Sequence, residues 1–228
     1  GRARARLPSS PPSPGELAAG LASGARALEI AGTLGDLRLR ILSTTYLEQV
    51  HYFRGDYQRV VELAKDNLAA LPAEWLYESF GASAPPAVRD RCWLVLSLIQ
   101  LARFAEATEH AAEAIRLAEP TQHATTVGLA HRASGMLHLA RGEWATARKL
   151  SEHGFTVFKS GNVAIQLPSA LAASAWASAQ LGEATEAVNQ IQLGEQVIEQ
   201  FATTGIVAHL AWSYQALGRA SLRLGRVD

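Results

Sequence analysis

Three short strings recur along the chain: Arg54-Gly55-Asp56-Tyr57, Arg141-Gly142-Glu143-Trp144 and Leu181-Gly182-Glu183-Ala184. Two degenerate copies join them, Ala102-Arg103-Phe104 and the terminal Leu224-Gly225-Arg226-Val227. Anchored on the residue two after the turn glycine, the copies fall at Tyr57, Phe104, Trp144, Ala184 and Val227, with spacings of 47, 40, 40 and 43. Self-similarity at such a period marks an array of helix pairs. Each string lies between two amphipathic helical patterns and therefore reads as a tight helix–helix turn. The glycine supplies the left-handed backbone that ends the first helix. The acid after it (Asp56, Glu143, Glu183) is expected to start the second helix, where the positive end of the dipole favours it. Arg54 and Arg141 stand at the opposite pole, on the last turn of the preceding helix.

The pattern extends outward from these turns. The second helix of each pair shows apolar or small residues at i, i+3, i+7 and i+10/11: Tyr57, Val60, Ala64, Leu68; Phe104, Ala107, Ala111, Ala114/Ile115; Trp144, Ala147, Ser151, Phe155; Ala184, Ala187, Ile191, Gly194. One large residue followed by small ones belongs to helices whose backbones pack closely. Helices are expected near 16–34, 36–54, 56–71, 87–102, 104–119, 122–141, 143–160, 165–181, 183–204 and 206–224. Gly35, Gly161, Gly205 and Pro120 separate successive pairs, and Pro168 sits in a first turn where a missing N–H costs little. No sustained period-2 alternation and no Asn-Gly or Asp-Gly turn signals a strand. The composition agrees: of 228 residues 42 are alanine, arginine outnumbers lysine 18 to 3, and 48% are apolar. The 21 basic and 21 acidic side chains cancel, which argues against a basic nucleic-acid surface. A single cysteine, Cys92, excludes a disulfide framework or a Cys-based zinc site, and no run of 18 apolar residues would span a membrane.

The spacing resembles the tetratricopeptide repeat, W-x2-L-G-x2-Y-x3-G-x-Y with a small residue three further on. The best match is Tyr214-x2-Leu217-Gly218-x2-Ser221-x3-Gly225-x-Val227. The third repeat keeps Gly135, Gly142, Trp144 and Ala147, with His131 and His138 at aromatic positions; the fourth keeps Gly182 and Ala187. The first keeps Gly55 and Tyr57 but carries Glu48 where the first glycine belongs. The period exceeds the usual 34, implying longer helices and one inserted loop. Lengthened repeats of this kind look like the C-terminal arrays of large bacterial adenylate/guanylate cyclase–ATPase signalling proteins. That resemblance is carried by Arg54–Tyr57, Glu78–Pro85 with its Phe80-Gly81, Arg91–Leu94, Ala107–Glu119 and Gly128–Trp144. Large ATP-dependent transcriptional activators carry similar arrays. The resemblance implies an all-α, right-handed superhelical solenoid of antiparallel helix pairs.

Residues 1–15 (GRARARLPSSPPSPG) read as a linker or the remnant of a preceding segment, a better fit than an Arg-rich transit sequence. Residues 16–228 read as one repeat domain, cut from a longer array. The expected consequence is an uncapped apolar face on helix 206–224 (Ile206, Leu210, Leu217, Leu222, Leu224), a surface through which two copies would pair as a homodimer. Gly218 is expected to let this helix approach its neighbour, so that a larger side chain there would overpack the contact.

No phosphate cradle and no convergent catalytic set occurs, so neither an enzyme nor a cofactor is expected. His131 and His138 share a helix face without an i+4 partner and read as packing residues; His110 and His153 read as solvated surface, and no metal site is expected. Arg38/Arg40 and Arg89/Arg91 read as a solvated face. Binding would fall to a concave groove lined by the first helices. Repeat positions 2, 5, 9 and 12 give Leu42, Thr45, Gln49 and Tyr52; Arg89, Cys92, Leu96 and Ile99; Leu129, Arg132, Met136 and Leu139; Ser169, Ala172, Trp176 and Ala179; and Trp212, Gln215 and Arg219. Aromatic anchors among arginines suit an acidic or amphipathic protein segment. The partner expected is such a segment or another domain of the same polypeptide, in the cytoplasm, with no nucleic acid and no membrane. The alternative is a small-molecule-sensing domain, closed if the aromatic stretch Pro72–Pro86 (Trp75, Tyr77, Phe80) folds over the groove.

Overall fold

The computed structural model describes residues 14–202 and 210–226, and among them every regular element is helical. The α-helices are α1 (Pro14–Leu34), α2 (Leu37–Arg54), α3 (Tyr57–Ala70), α4 (Pro86–Gln100), α5 (Phe104–Ala118), α6 (Ala124–Ala140), α7 (Trp144–Ser160), α8 (Leu167–Leu181), α9 (Ala184–Ala202) and α10 (Ala211–Arg223). Short 3-10 turns lie at Ala73–Trp75, Glu119–Thr121 and Ala164–Gln166. The expected ends hold to within about two residues, except that α10 begins at Ala211; the earlier start at 206, with Gly205 and Ile206, lies outside the described residues, as does most of the 1–15 segment. Pro14 opens α1, since a first helical position needs no N–H.

All five turn strings close with the same pair of backbone hydrogen bonds. The N–H of Gly55 donates to the Tyr52 carbonyl (3.0 Å) and that of Asp56 to the His51 carbonyl (3.0 Å). The pair recurs at Ala102/Arg103, Gly142/Glu143, Gly182/Glu183 and Gly225/Arg226. The geometry needs a left-handed residue; Gly55 (φ 87°) supplies it without strain, whereas Ala102 adopts φ 56° with a Cβ in the way. Asp56 and Glu143 stand at the N-caps of their helices, as expected, and make no side-chain cap bond there. Each instead reaches back to the preceding helix. Asp56 meets His51 Nδ1 (3.1 Å) and Arg54 Nε (3.3 Å), while Glu143 meets His138 and Arg141 Nη2 (2.7 Å). Glu183 pairs with Arg148. A His-x2-Arg-Gly-acid brace is thus repeated in the first and third copies.

The helices pack as adjacent pairs in two rows. α2, α4, α6, α8 and α10 lie in sequence, each against the next. α3, α5, α7 and α9 each pack against the two first-row helices that flank them in sequence, and touch one another far less. Small side chains make the first row possible. α8 buries Ala170, Ala172, Ala173, Ala175, Ala177 and Ala179, which lets α7, α9 and α10 approach it closely. The second-row anchors Ala107, Ala147 and Ala187 are fully buried, and the large residues Tyr57, Phe104 and Trp144 are half-buried at the helix starts.

Close backbone contact concentrates between α6 and α7. A Cβ on Gly128 would run into the ring of Phe158, itself 0% exposed, and one on Gly135 would stand 3.1 Å from Ser151 Oγ. Gly218 does not play this part. It is exposed, and a Cβ there meets nothing within 4 Å; the tight glycine contact of α10 is made instead by Gly194 of α9 against Leu217. Leu210 and Leu217 are buried within the α8–α10 core, so the expected apolar face reduces to the exposed Leu222 beside the half-buried Leu224.

Gly128→Ala should therefore destabilise the fold by about 1–3 kcal/mol through overpacking, whereas Gly218→Ala should be neutral or stabilise by up to about 1 kcal/mol. Thermal or urea denaturation of the two variants checks the contrast. In the same assay Ala102→Gly should raise stability, by about 1 kcal/mol, because relief of the left-handed alanine outweighs the entropy cost of glycine.

Candidate functional site

The first-row helices carry the residues expected to bind, and the structure divides them. Thr45 (1% exposed) and Leu96 (2%) are core residues, as are Cys92, Leu129, Leu139, Ala172 and Ala179; none presents its side chain to a ligand from outside. Gln49, Tyr52, Arg89, Arg132, Met136, Trp176 and Trp212 are half-buried, while Gln215 and Arg219 are exposed. Position 5 of the first repeat and position 9 of the second thus turn into the helix contacts.

The half-buried residues form two groups. On α2 and α4, Tyr52 is the centre of a ring cluster with Phe53 (5.9 Å between centroids), Tyr57 (5.5 Å) and Trp93 (5.1 Å). Arg89 lies over Tyr46 at 4.7 Å and donates to Gln49 Oε1 at 3.1 Å. Arg132 of α6 completes this group: its charge interacts with the Tyr52 hydroxyl and the Cys92 thiol, and burial pulls its pKa below the ordinary guanidinium range. Burial pushes the Cys92 thiol up to about 12, which leaves it protonated and inert as a nucleophile. The Nε of Arg132 is shielded from solvent and has no hydrogen-bond partner. The second group stands on α8 and α10. Arg219 lies 4.7 Å above the Trp176 ring, Trp144 flanks it at 6.1 Å, and the indole N–H of Trp176 is buried without an acceptor. Among the described residues no carboxylate is within ion-pair distance of Arg89, Arg132 or Arg219. This face therefore offers three cations without a direct ion pair among the described residues, two of them stacked on rings.

The other arginines do not form a simple solvated face either. Arg38 stacks on Trp75 (5.4 Å) and Phe80 (5.1 Å), and Arg91 donates to the Ala87 carbonyl at 2.6 Å. The ring partners of Trp75 and Phe80 are thus each other and the start of α2. The stretch 72–86 borders a cleft of about 680 Å³ whose walls include Tyr77, Ser79, Pro85, Pro120 and His123; none of its lining residues belongs to the expected groove. A smaller cleft of about 220 Å³ lies between α7, α8 and α9, at Glu152, Ser174 and Gln190.

Behind the Arg89 face lies a buried acidic pair that the sequence pattern registered only as a misplaced glutamate. Asp90 accepts from Thr45 Oγ1 (2.7 Å) and Asn67 Nδ2 (2.8 Å). Glu48, 0% exposed, has no partner at either oxygen. Burial, reinforced by Asp90, raises the Glu48 pKa well above the carboxylate range, and burial raises Asp90 to about 7. The two donors favour charge on Asp90, so as pH rises Asp90 loses its proton first and Glu48 keeps its own longer.

The structure also joins three residues the sequence kept apart. His131 Nε2 lies 2.6 Å from Glu119 Oε1, and the ring of His153 stands 4.3 Å from that of His131. Burial lowers the His131 pKa, against the pull of Glu119. His138, which shares a helix with His131, turns instead to Glu143. Only the cross-helix packing of α6 on α7 brings His153 to this place, and no spacing within one helix would have found it.

No family model and no curated protein matches this chain.

Because the folded state holds protons on Glu48 and Asp90 that the unfolded chain releases near pH 4, stability should fall as pH rises from about 4 to about 7. Glu48→Gln keeps the shape and removes one titration; urea unfolding across this range should show the slope flattened and stability at pH 7.5 increased.

Proposed function

We propose that this chain is a non-catalytic tetratricopeptide-like module that docks an acidic or amphipathic protein segment along the face of α2, α4, α6, α8 and α10. The observation that carries the reading is Arg132. A guanidinium with a buried, unsatisfied Nε and no acid beside it is costly to the fold. A carboxylate from a bound segment would supply the missing counter-charge by pairing with the terminal N–H groups of the guanidinium. Arg89 and Arg219, held on Tyr46 and Trp176, would extend the same recognition toward either side, while Tyr52, Trp93 and Trp212 offer apolar anchors. The packing of the rows supports the placement of this face on the inner side of an array. First-row helices touch one another and second-row helices spread apart, as in a stack that curves toward its first row.

The larger setting of the proposal is a bacterial cytoplasmic signalling protein that joins a nucleotide-cyclase and an ATPase domain to this array, as the repeat resemblance implies. The docked segment would then belong to another protein or to another domain of the same polypeptide. A second reading, small-molecule sensing in an ATP-dependent transcriptional activator, rests on the cleft of about 680 Å³ beside Tyr77 and His123. It places the ligand away from Arg132, which separates the two readings.

Arg132→Met tests the first. It keeps the length of the side chain and removes the unpaired charge, so the melting temperature should rise, by about 2–4 °C for each kcal/mol recovered. Affinity for a fluorescent Glu/Leu-rich peptide should fall at least about tenfold, the loss of one charge-assisted hydrogen bond. Polarisation titrations with that peptide and its Lys/Leu counterpart read the effect; equal affinity for both peptides would refute the reading.

A further inference from the structure

We propose that Glu119, His131 and His153 form a binding site for one divalent transition-metal ion of the zinc class, pinning the end of α5 to α6 and α7. The three residues come from three elements: the 3-10 turn that follows α5, the middle of α6 and the middle of α7. One ligand atom from each lies within 4.8 Å of the other two. Two imidazoles and one carboxylate are the donor set that suits zinc, and three protein ligands leave a fourth position for water.

The distances are those of a site that needs only a small adjustment. Tetrahedral zinc with bonds of about 2.0–2.1 Å separates its ligand atoms by about 3.3 Å. The Glu119 oxygen would retreat somewhat from its 2.6 Å contact with His131, and His153 would close in. Both moving side chains are exposed, so both have room, while the anchoring His131 is fixed by burial. His131 would bind the ion through Nε2, the nitrogen that already faces Glu119.

The backbone explains why the two histidines meet. Gly154 follows His153, and a Cβ on it would lie 3.8 Å from His131 Cβ and 3.9 Å from Arg132 N. A side-chain methyl would make only ordinary contact there, so it is the close run of α7 along α6 at the level of His131 that sets the neighbouring His153 beside it. A metal there would cross-link the second and third repeats, next to the helix position that carries Arg132. The assignment is independent of the docking reading, since the ligands lie off the arginine face.

The test uses the full chain, stripped with a chelator and titrated with zinc chloride by calorimetry, with cobalt(II) absorption as a second readout of coordination. One ion should bind per chain. At a free zinc concentration about a hundred times Kd the melting temperature should rise by about 5–10 °C. His153→Ala and Glu119→Gln, both at exposed positions, should each weaken binding at least about tenfold while the metal-free melting temperature stays near that of the parent. His110→Ala, remote from the cluster in sequence and on α5, should leave binding unchanged. Magnesium should produce no shift. The proposal is overturned if zinc causes neither heat nor thermal shift below about 100 μM, a level weaker than any functional site of this donor set. It is equally overturned if binding survives both His153→Ala and Glu119→Gln.

Discussion

The contact between α6 and α7 is the constraint on which the middle of the molecule depends. Two glycines, Gly128 and Gly135, stand where a methyl group would crowd Phe158 or Ser151, so the two helices approach without intervening side chains. Phe158, fully buried, fills the space left at Gly128 and ties this contact to the continuous core that runs from α3 to α8. The same approach sets His153 against His131, and α6 carries the partnerless guanidinium of Arg132 beside α4. Packing and chemistry therefore share one cause. Close helix contact holds polar groups in fixed places where solvent does not satisfy them.

Polar residues of the interior show how the fold tolerates such groups elsewhere. Asp90 is held by Thr45 and Asn67, whereas Glu48 has only its own proton to neutralise it. Glu48 thus puts a fully buried carboxyl into the packing of α2. Arginines solve the same difficulty by stacking. Arg38, Arg89 and Arg219 each lie over an aromatic ring, where a planar guanidinium covers the ring and keeps its donors free.

Much of the helical organisation was legible in the sequence because it is local. A left-handed residue and the two hydrogen bonds around it need only six or so consecutive residues, so five turn strings named five turns, Ala102 included. The small residues Ala107, Ala147 and Ala187 marked buried positions for the same reason. What escaped was set by neighbours distant in sequence. Gly218 matched the repeat pattern yet faces open space, since the helix that it meets contributes its own glycine, Gly194. Thr45 and Leu96 shared the period of the exposed row but rotate into the α2–α4 contacts, where Thr45 is needed by Asp90. The His131–His153 meeting required knowledge of which helix packs on which. Asp56 and Glu143 start their helices as the pattern indicated, but their pairing with histidine and arginine one turn back was not read from it.

Each helix packs mainly on elements adjacent or next-adjacent to it along the chain. Such a molecule closes few long loops as it folds, and loop closure is the slow, entropically costly step for most topologies. Folding can begin at any well-formed pair and spread to its neighbours in either direction. The α6–α7 pair, with the tightest backbone contact and the largest buried ring, is the natural nucleus. Opening would run in the reverse order, so that amide protons of α6 and α7 exchange last and those of the outlying pairs exchange first.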